Sequence, residues 1–305
     1  MHGGGTETTA WIVPEPPPPG SFGTYDRRSR MLAGNRGVVV STISTVVFLG
    51  VVSAIFLLAP GAAEVRHYFF NVHDMKQAFI GDPKAGIFSV GKAFALNIEM
   101  FLIAEVLILF FGLLIAIIRI QRTAILFPIR MVAIVYCDVM RGVPVILVML
   151  LVGFGFPALN LKIISTQSLA VYGIITLTAT YSAYVSEVFR AGLYAVSQSQ
   201  EAAARSLGLS RTQSLRYVLV PQAIRVVIPP LLNDFISLQK DTALVSVIGA
   251  IEAVRAAEIY ADTYFNYSSY VVAAILFLIL TIPMTRFTDH VIDRDRAKRL
   301  AGGAR

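Results

Sequence analysis

Cysteine is nearly absent from this chain, with Cys137 the only one in 305 residues. One thiol cannot close an internal disulfide, and alone it excludes a cysteine-ligated zinc or iron–sulfur centre built from this chain. Histidine is also scarce: His2, His67, His73 and His290 are scattered and form no metal-binding spacing. The third deficit is charge. Twenty-six Lys+Arg and 19 Asp+Glu make only 15% of the chain, against roughly 25% in soluble domains, which argues against a soluble globular enzyme.

What fills the chain instead is apolar. Hydrophobic residues reach 56% and mean hydropathy is +0.68. Four stretches carry no charge: Gly37 to Ala63, Gly142 to Leu161, Ile163 to Ser186 and Thr263 to Thr285. Each is long enough for a helix to cross about 30 Å of hydrocarbon. The net charge of +7 and pI near 9.6 would suggest nucleic acid in a soluble protein. In a membrane protein the basic residues report topology first.

Residues 1–36 hold Gly3 to Gly5, the run Pro14-Glu15-Pro16-Pro17-Pro18-Pro19-Gly20 and then Arg27, Arg28, Arg30 and Arg36. With no apolar period to pack, this reads as a disordered cytoplasmic tail. It is too long and proline-rich for a signal-peptide n-region, so residues 37–60 read as a retained first transmembrane helix. Residues 61–91 are a polar extracytoplasmic connection. Residues 92–288 then hold five more crossings, interrupted by a polar loop at 195–228, and 289–305 form a mixed-charge cytoplasmic tail. Residues 123–140, with Arg130 and Asp138 set among apolar runs, read as an interfacial helix leading into the Gly142 to Leu161 crossing. The fifth crossing is expected to start near Pro229-Pro230.

With the N-terminus inside, nineteen basic residues fall on the cytoplasmic side and six opposite (Arg66, Lys76, Lys84, Lys92, Lys162 and Arg255), with Lys240 inside a span. This positive-inside bias places both termini and the 195–228 loop in the cytoplasm.

Two motifs have ordinary explanations. Gly86-Ile87-Phe88-Ser89-Val90-Gly91-Lys92 has the G-x-x-x-x-G-K spacing of a phosphate loop, but Ala93 follows where magnesium needs Ser or Thr, and no strand precedes it. If ATP drives this protein, another chain binds it. Glu201 to Ser210 reads as a short helix, a glycine turn and the N-cap of a second helix reaching to Pro221. With four nearby arginines it imitates a DNA-reading helix-turn-helix, yet spans bracket it too closely for the packed core such a reader needs. A docking loop explains it better than nucleic-acid binding or a plain solvated loop.

The string Gln200-Glu201-Ala202-Ala203, with Gly208 five positions on and then Val218-Leu219-Val220-Pro221, resembles the EAA loop of ABC importer permeases. Ala183 to Gly192, Pro229 to Asp234, Gln239 to Leu244, and Tyr136 with Arg141-Gly142-Val143-Pro144 resemble the polar amino acid permeases in particular. The resemblance covers about residues 91–290. It departs from the family at Ala243, where Ser is common, at Val218 and Val220, and at Glu99 and Glu105, where uncharged residues are usual.

The resemblance implies an all-α membrane protein of about six transmembrane helices with type I importer permease architecture. Such a subunit forms half of a path for a polar amino acid, of the glutamate/glutamine or the basic type. It implies as partners a cytoplasmic ABC ATPase dimer holding ATP and Mg, a second permease copy or paralogue, and an external substrate-binding protein, with no cofactor in this chain. Glu201, Ala202, Ala203, Gly208 and Pro221 would couple to the ATPase. In the loop itself, Gly208 suits a turn with positive φ, and the two alanines allow close packing.

In the fifth span Asn233, Asp234, Lys240 and Asp241 are costly in lipid unless paired or wetted. They either line the path or its gate, or Lys240 pairs with Asp234 or Asp241 to hold helices together. Glu105 is deep and either finds a Tyr or Asn partner or carries protons, whereas Glu99 lies near the outer interface. Glu187 and Arg190 suit a local i, i+3 pair. No nucleophile–base–acid set appears. An ion-coupled carrier using Glu105 and Asp234 is the competing reading, and it leaves the EAA-like loop unexplained.

Overall fold

The structure, a computed structural model, describes residues 35–121, 123–195 and 198–302. The expected tail lies outside these residues except for Asn35 and Arg36, which open the first helix. Two units are distinct, one ending at Glu64 and one starting at Val65.

The first unit contains α1 (Asn35–Leu58), whose apolar window Val38–Leu58 is long enough to span a membrane. Three of its hydroxyls are satisfied within the helix: Thr42 and Thr45 donate to the carbonyls of Val38 and Ser41 at 2.8 Å, and Ser44 donates to Ser41 O at 3.0 Å. Such back-bonding removes the cost of exposing a bare hydroxyl to hydrocarbon.

The second unit starts in α2 (Ala62–Phe69), followed by α3 (Val72–Ile80). The expected polar connection is therefore a folded cap. Asn71 begins α3 by accepting from the His73 and Asp74 amides, and Asp74 accepts from Tyr260 at 2.8 Å and Asn266 at 2.9 Å. The phosphate-loop look-alike is a tight turn between α3 and α4 (Val90–Ile120). There Gly86 is left-handed, and Ser89 accepts from the Lys92 amide as the α4 N-cap.

Helix α4 runs out at Gln121, where the backbone turns extended. Helix α5 (Phe127–Gly142) and helix α6 (Val145–Ala158) meet at a bend of 108°. Pro144 causes it: the residue before a proline is driven out of the helical region, and Val143 sits at φ −99, ψ 132. The regular part of the third crossing is thus only the 14 residues of α6. The segment after it closes its own carbonyls, with Ser165 donating to Phe156 O and Tyr172 to Ile164 O.

Helix α7 (Leu169–Tyr194) is followed by α8 (Gln198–Ser206) and α9 (Arg211–Ser214). A π turn, Leu215–Leu219, joins α9 to α10 (Val220–Asp241). Pro221 does not end the helical run and Pro229-Pro230 does not open one, contrary to expectation. A proline cannot donate to the carbonyl four residues back and crowds it. Upstream of Pro221 the turn widens, so that the Val220 amide reaches Leu215 O. The continuous helical stretch long and apolar enough to hold the span therefore begins at Thr212 and ends at Ile248. A 3₁₀ turn, Thr242–Ile248, leads to α11 (Ala253–Tyr264) and α12 (Ser268–Gly302). The last helix continues into the region expected to be a tail.

Among the described residues, five helices can cross a membrane by length and composition, or six with the bent α5–α6 pair as one span. The main core forms where α4, α6, α7 and α10 meet, around Phe101, Ala104, Ile108, Met149, Leu177 and Leu238. Small residues let the helices approach closely. A Cβ on Gly112 of α4 would lie 2.6 Å from Val185 Cγ1 of α7, and one on Gly173 would lie 2.7 Å from Val245. Gly112→Leu is therefore expected to overpack the α4–α7 seam, at a cost of about 1–3 kcal/mol. A lowered thermal midpoint of the detergent-extracted protein measures this, while Leu at open Gly155 serves as the neutral control.

Two polar layers bound the apolar middle. Asn97 lies at one end of α4 and Arg119 at the other, and the stretch between them covers about 33 Å at 1.5 Å per residue, close to a hydrocarbon core. On the Asn97 side, Phe69 stacks on Tyr267 at 5.2 Å and Tyr267 on Tyr270 at 6.4 Å. Aromatics of this kind gather at membrane interfaces.

Candidate functional site

The EAA-like segment is a small helix–turn–helix unit on the Arg119 side. Helix α8 ends in a turn where Gly208 takes φ +87, its amide donating to Arg205 O at 3.0 Å and the Leu209 amide to Ala204 O at 3.3 Å. This is the left-handed C-terminal turn that favours glycine. Ser210 and Gln213 then form a capping box: the Ser210 amide donates to Gln213 Oε1 at 2.9 Å, and the Gln213 amide to Ser210 Oγ at 3.3 Å. Ala204 of α8 is buried, while Ala202 and Ala203 face out and Glu201 is half-buried. Leu207 is 84% exposed and Tyr217 64%, so the unit presents apolar groups to the outside.

At the neighbouring helix ends, Glu187 of α7 gathers three arginines. Arg119 of α4 lies 2.6 Å from Oε1, Arg141 of α5 3.2 Å from the same oxygen, and Arg190 2.6 Å from Oε2. Sequence spacing revealed only the Arg190 pair. Arg119 and Arg141 join from far along the chain, and only their positions at helix ends hinted at it. Ser186 adds contacts to Arg119 at 3.4 Å and to Cys137 Sγ at 3.3 Å.

Higher in the span, α10 carries two polar stripes. Asn233 and Lys240, seven residues apart, share one face and are exposed; Asp234 and Asp241 share the adjacent face and are half-buried. Lys240 makes no ion pair with either aspartate among the described residues. Asp241 accepts instead from the Tyr181 hydroxyl of α7 at 2.8 Å. Glu105 of α4 gains no Tyr or Asn hydrogen bond among the described residues, and the charged group that faces it is Asp234. In place of the expected partner, a second carboxyl stands on the helix packed against α4, and Glu99 is exposed.

At the outer end a buried network ties α4 to the end of α10 and to α11. Asn97 Nδ2 donates to Glu252 Oε2 at 2.8 Å and to Thr242 Oγ1 at 3.2 Å, and Asn97 Oδ1 accepts from the Ala253 amide at 3.0 Å. Glu252 also caps α11 by accepting from the Val254 and Arg255 amides. Burial pushes its carboxyl above the usual range, against the pull of these donors. Asn97→Leu strands the Ala253 amide and takes from Glu252 Oε2 one of its two donors, leaving it the Val254 amide, an expected loss of about 1–3 kcal/mol, read as earlier thermal unfolding in detergent. A similar tie joins α10 to α12, where Gln239 Oε1 accepts from Thr281 at 2.7 Å.

Residues 108–296 match the family described as binding-protein-dependent transport system inner membrane component. The chain is 30% identical over 178 residues to the probable glutamine ABC transporter permease protein GlnM of Bacillus subtilis (strain 168), covering 58% of this chain and 81% of that protein. Identity to the arginine transport system permease protein ArtQ of the same organism is 29% over 204 residues, 67% of this chain and 90% of that one. The crystal structure of an amino acid ABC transporter with histidines aligns with a TM-score of 0.60 at 30% identity, covering 67% of this chain and 93% of that chain. The match takes in the C-terminal part of α4, the α8–α9 helix–turn–helix unit, both α10 stripes and most of α12, and on that ground the chain belongs to the binding-protein-dependent transport system inner membrane components, as a multi-pass protein of the cell membrane with ABC transporter permease architecture.

Proposed function

We propose that this chain is the permease subunit of an ATP-driven amino acid importer and forms half of the path for a polar amino acid. The observation that carries this reading is the uninterrupted helical run from Arg211 to Asp241. It joins the exposed α8–Gly208 unit directly to the polar face of α10. A cytoplasmic ATPase dimer holding ATP and Mg grips α8 through Glu201, Ala202, Ala203 and the turn at Gly208. When its two halves close, the Pro221-bearing helix moves as a rigid lever. ATP then shifts the assembly between inward- and outward-open states by its differential affinity for them.

Asn233 and Lys240 are exposed within a span, where a lone ammonium costs about 2.5–3.5 kcal/mol at the centre of a lipid-facing helix. They face a wetted path completed by a second permease copy or paralogue, and an external binding protein delivers the substrate. The chain itself does no covalent chemistry. The relatives named above span glutamine and arginine transport, so the class of substrate is an amino acid with a polar side chain.

The test is cross-linking from Ser210→Cys in a Cys137→Ser background, in native membranes, with captured chains identified by mass spectrometry. Capture of an ATP-binding subunit is expected. Efficient cross-linking that never yields one, together with uptake that collapses on adding a proton uncoupler at fixed ATP, would overturn the proposal in favour of an ion-coupled carrier.

A further inference from the structure

We infer that the groove between α4, α5 and α7 is a binding site for an anionic phospholipid, with its phosphate on the Arg119–Arg141–Arg190 cluster and an acyl chain in the groove. The groove encloses about 550 Å³ and its lining is almost wholly apolar, including Phe111, Ile118, Val132 and Ile175. Its inner end adjoins the cluster: Ile118 precedes Arg119, and Ser182 lies one helical turn before Ser186, which Arg119 touches.

Charge decides the kind of lipid. Three guanidiniums share one carboxylate, Glu187, in the described ion pairs, leaving two positive charges uncompensated. Arg119, with a side chain only 8% exposed, has a buried Nε without a hydrogen-bond partner. An unmatched buried donor of this kind is unusual and calls for an acceptor. Arg141 and Arg190 are the more open members, at 41% and 39%. A phosphodiester supplies the missing negative charge and acceptor oxygens together, and basic pockets between spans on the cytoplasmic side suit such headgroups.

The groove wall carries two further unmatched groups. The hydroxyls of Thr178 and Ser182 are buried and unpartnered, although both residues line the groove. Ester carbonyls lie just below a phospholipid's phosphate, at the depth where Ser182 follows the arginine layer. Phosphate acceptor, ester acceptor and hydrocarbon thus occur in the order in which the cluster, the hydroxyls and the apolar lining are stacked. A second protein helix would fill the apolar part but would leave the guanidiniums without an anion.

The test uses the full chain in its assembly, reconstituted in vesicles of phosphatidylcholine with a minority of brominated phosphatidylglycerol or brominated phosphatidylcholine. Trp11 is the only tryptophan, so Trp11→Phe with Val132→Trp places the single fluorophore on the groove wall. Quenching by the brominated anionic lipid is expected to exceed that by the zwitterionic one about fivefold or more at equal mole fraction. Arg141→Gln/Arg190→Gln should erase the preference, and Arg141→Lys/Arg190→Lys should keep most of it, which separates loss of charge from loss of fold. Equal quenching by the two lipids in the parent protein, or none by either, would overturn the inference. Loss of the preference on adding inorganic phosphate would also overturn it, by reducing the site to one for a free anion.

Discussion

Gly208→Val is expected to lower ATP-dependent uptake about 5- to 30-fold while leaving the membrane assembly intact. That range corresponds to one or two kcal/mol in a conformational equilibrium, the cost of holding a non-glycine residue in the left-handed region. Nothing lies within 4 Å of a Cβ at this position, so the substitution acts through the backbone at φ +87 and not through a clash. Helix α8 has nine residues, too few to hold its shape without a firm end. Gly208→Asn tolerates this conformation better and should retain more uptake. The readouts are ATP-driven uptake in proteoliposomes with the partner subunits, and recovery of the assembled permease from the membrane, which should be unchanged. Full uptake with Val at 208 would remove the turn from the coupling path.

Lys240→Met is expected to leave extraction and assembly normal and to reduce uptake by tenfold or more, a change of about 1.4 kcal/mol. The prediction follows from what Lys240 does not do: it reaches neither Asp234 nor Asp241 in an ion pair among the described residues, and Asp241 is committed to Tyr181. Removing the ammonium therefore breaks no such pair, and methionine keeps an unbranched apolar stem on the same face. Reduced uptake with an unchanged melting midpoint assigns Lys240 to the path or its gate. Loss of assembly would instead make it a contact between permease copies, and uptake at the parental level would remove it from the mechanism. Asn233→Leu, two helical turns away on the same face, should follow Lys240→Met in direction with a smaller effect.

Where the determinants were local, the chain could be read directly. Apolar runs marked α1, α7 and α12, the Gly208 turn and the Ser210 cap were visible from residue type and spacing, and Glu187–Arg190 followed from i, i+3 geometry. The start of α10 was misread because tandem proline usually opens a helix, whereas here a π turn at Leu215–Leu219 accommodates Pro221 and the helix runs on through Pro229 and Pro230. The site's other half was hidden for a different reason. Asn97 with Glu252, Tyr181 with Asp241, and Arg119 with Glu187 are pairs remote in sequence, set by which helices pack side by side. No window of sequence contains both members. Glu252 alone carried a local sign, standing just ahead of the Ala253–Ala257 run as an N-cap.

The short α6 has a consequence for the membrane around it. Fourteen residues make a helix of about 21 Å, while the stretch of α4 from Asn97 to Arg119 covers about 33 Å. Packed against the same α7, they present a bilayer of about 30 Å with two hydrophobic heights. The lipid next to α6 either thins or gives way to protein, at fractions of a kcal/mol per Å. Membrane thickness thereby becomes a variable in the protein's energetics: shorter acyl chains relieve the strain at α6 and lengthen it at α4, so that uptake should peak at an intermediate chain length and fall on both sides.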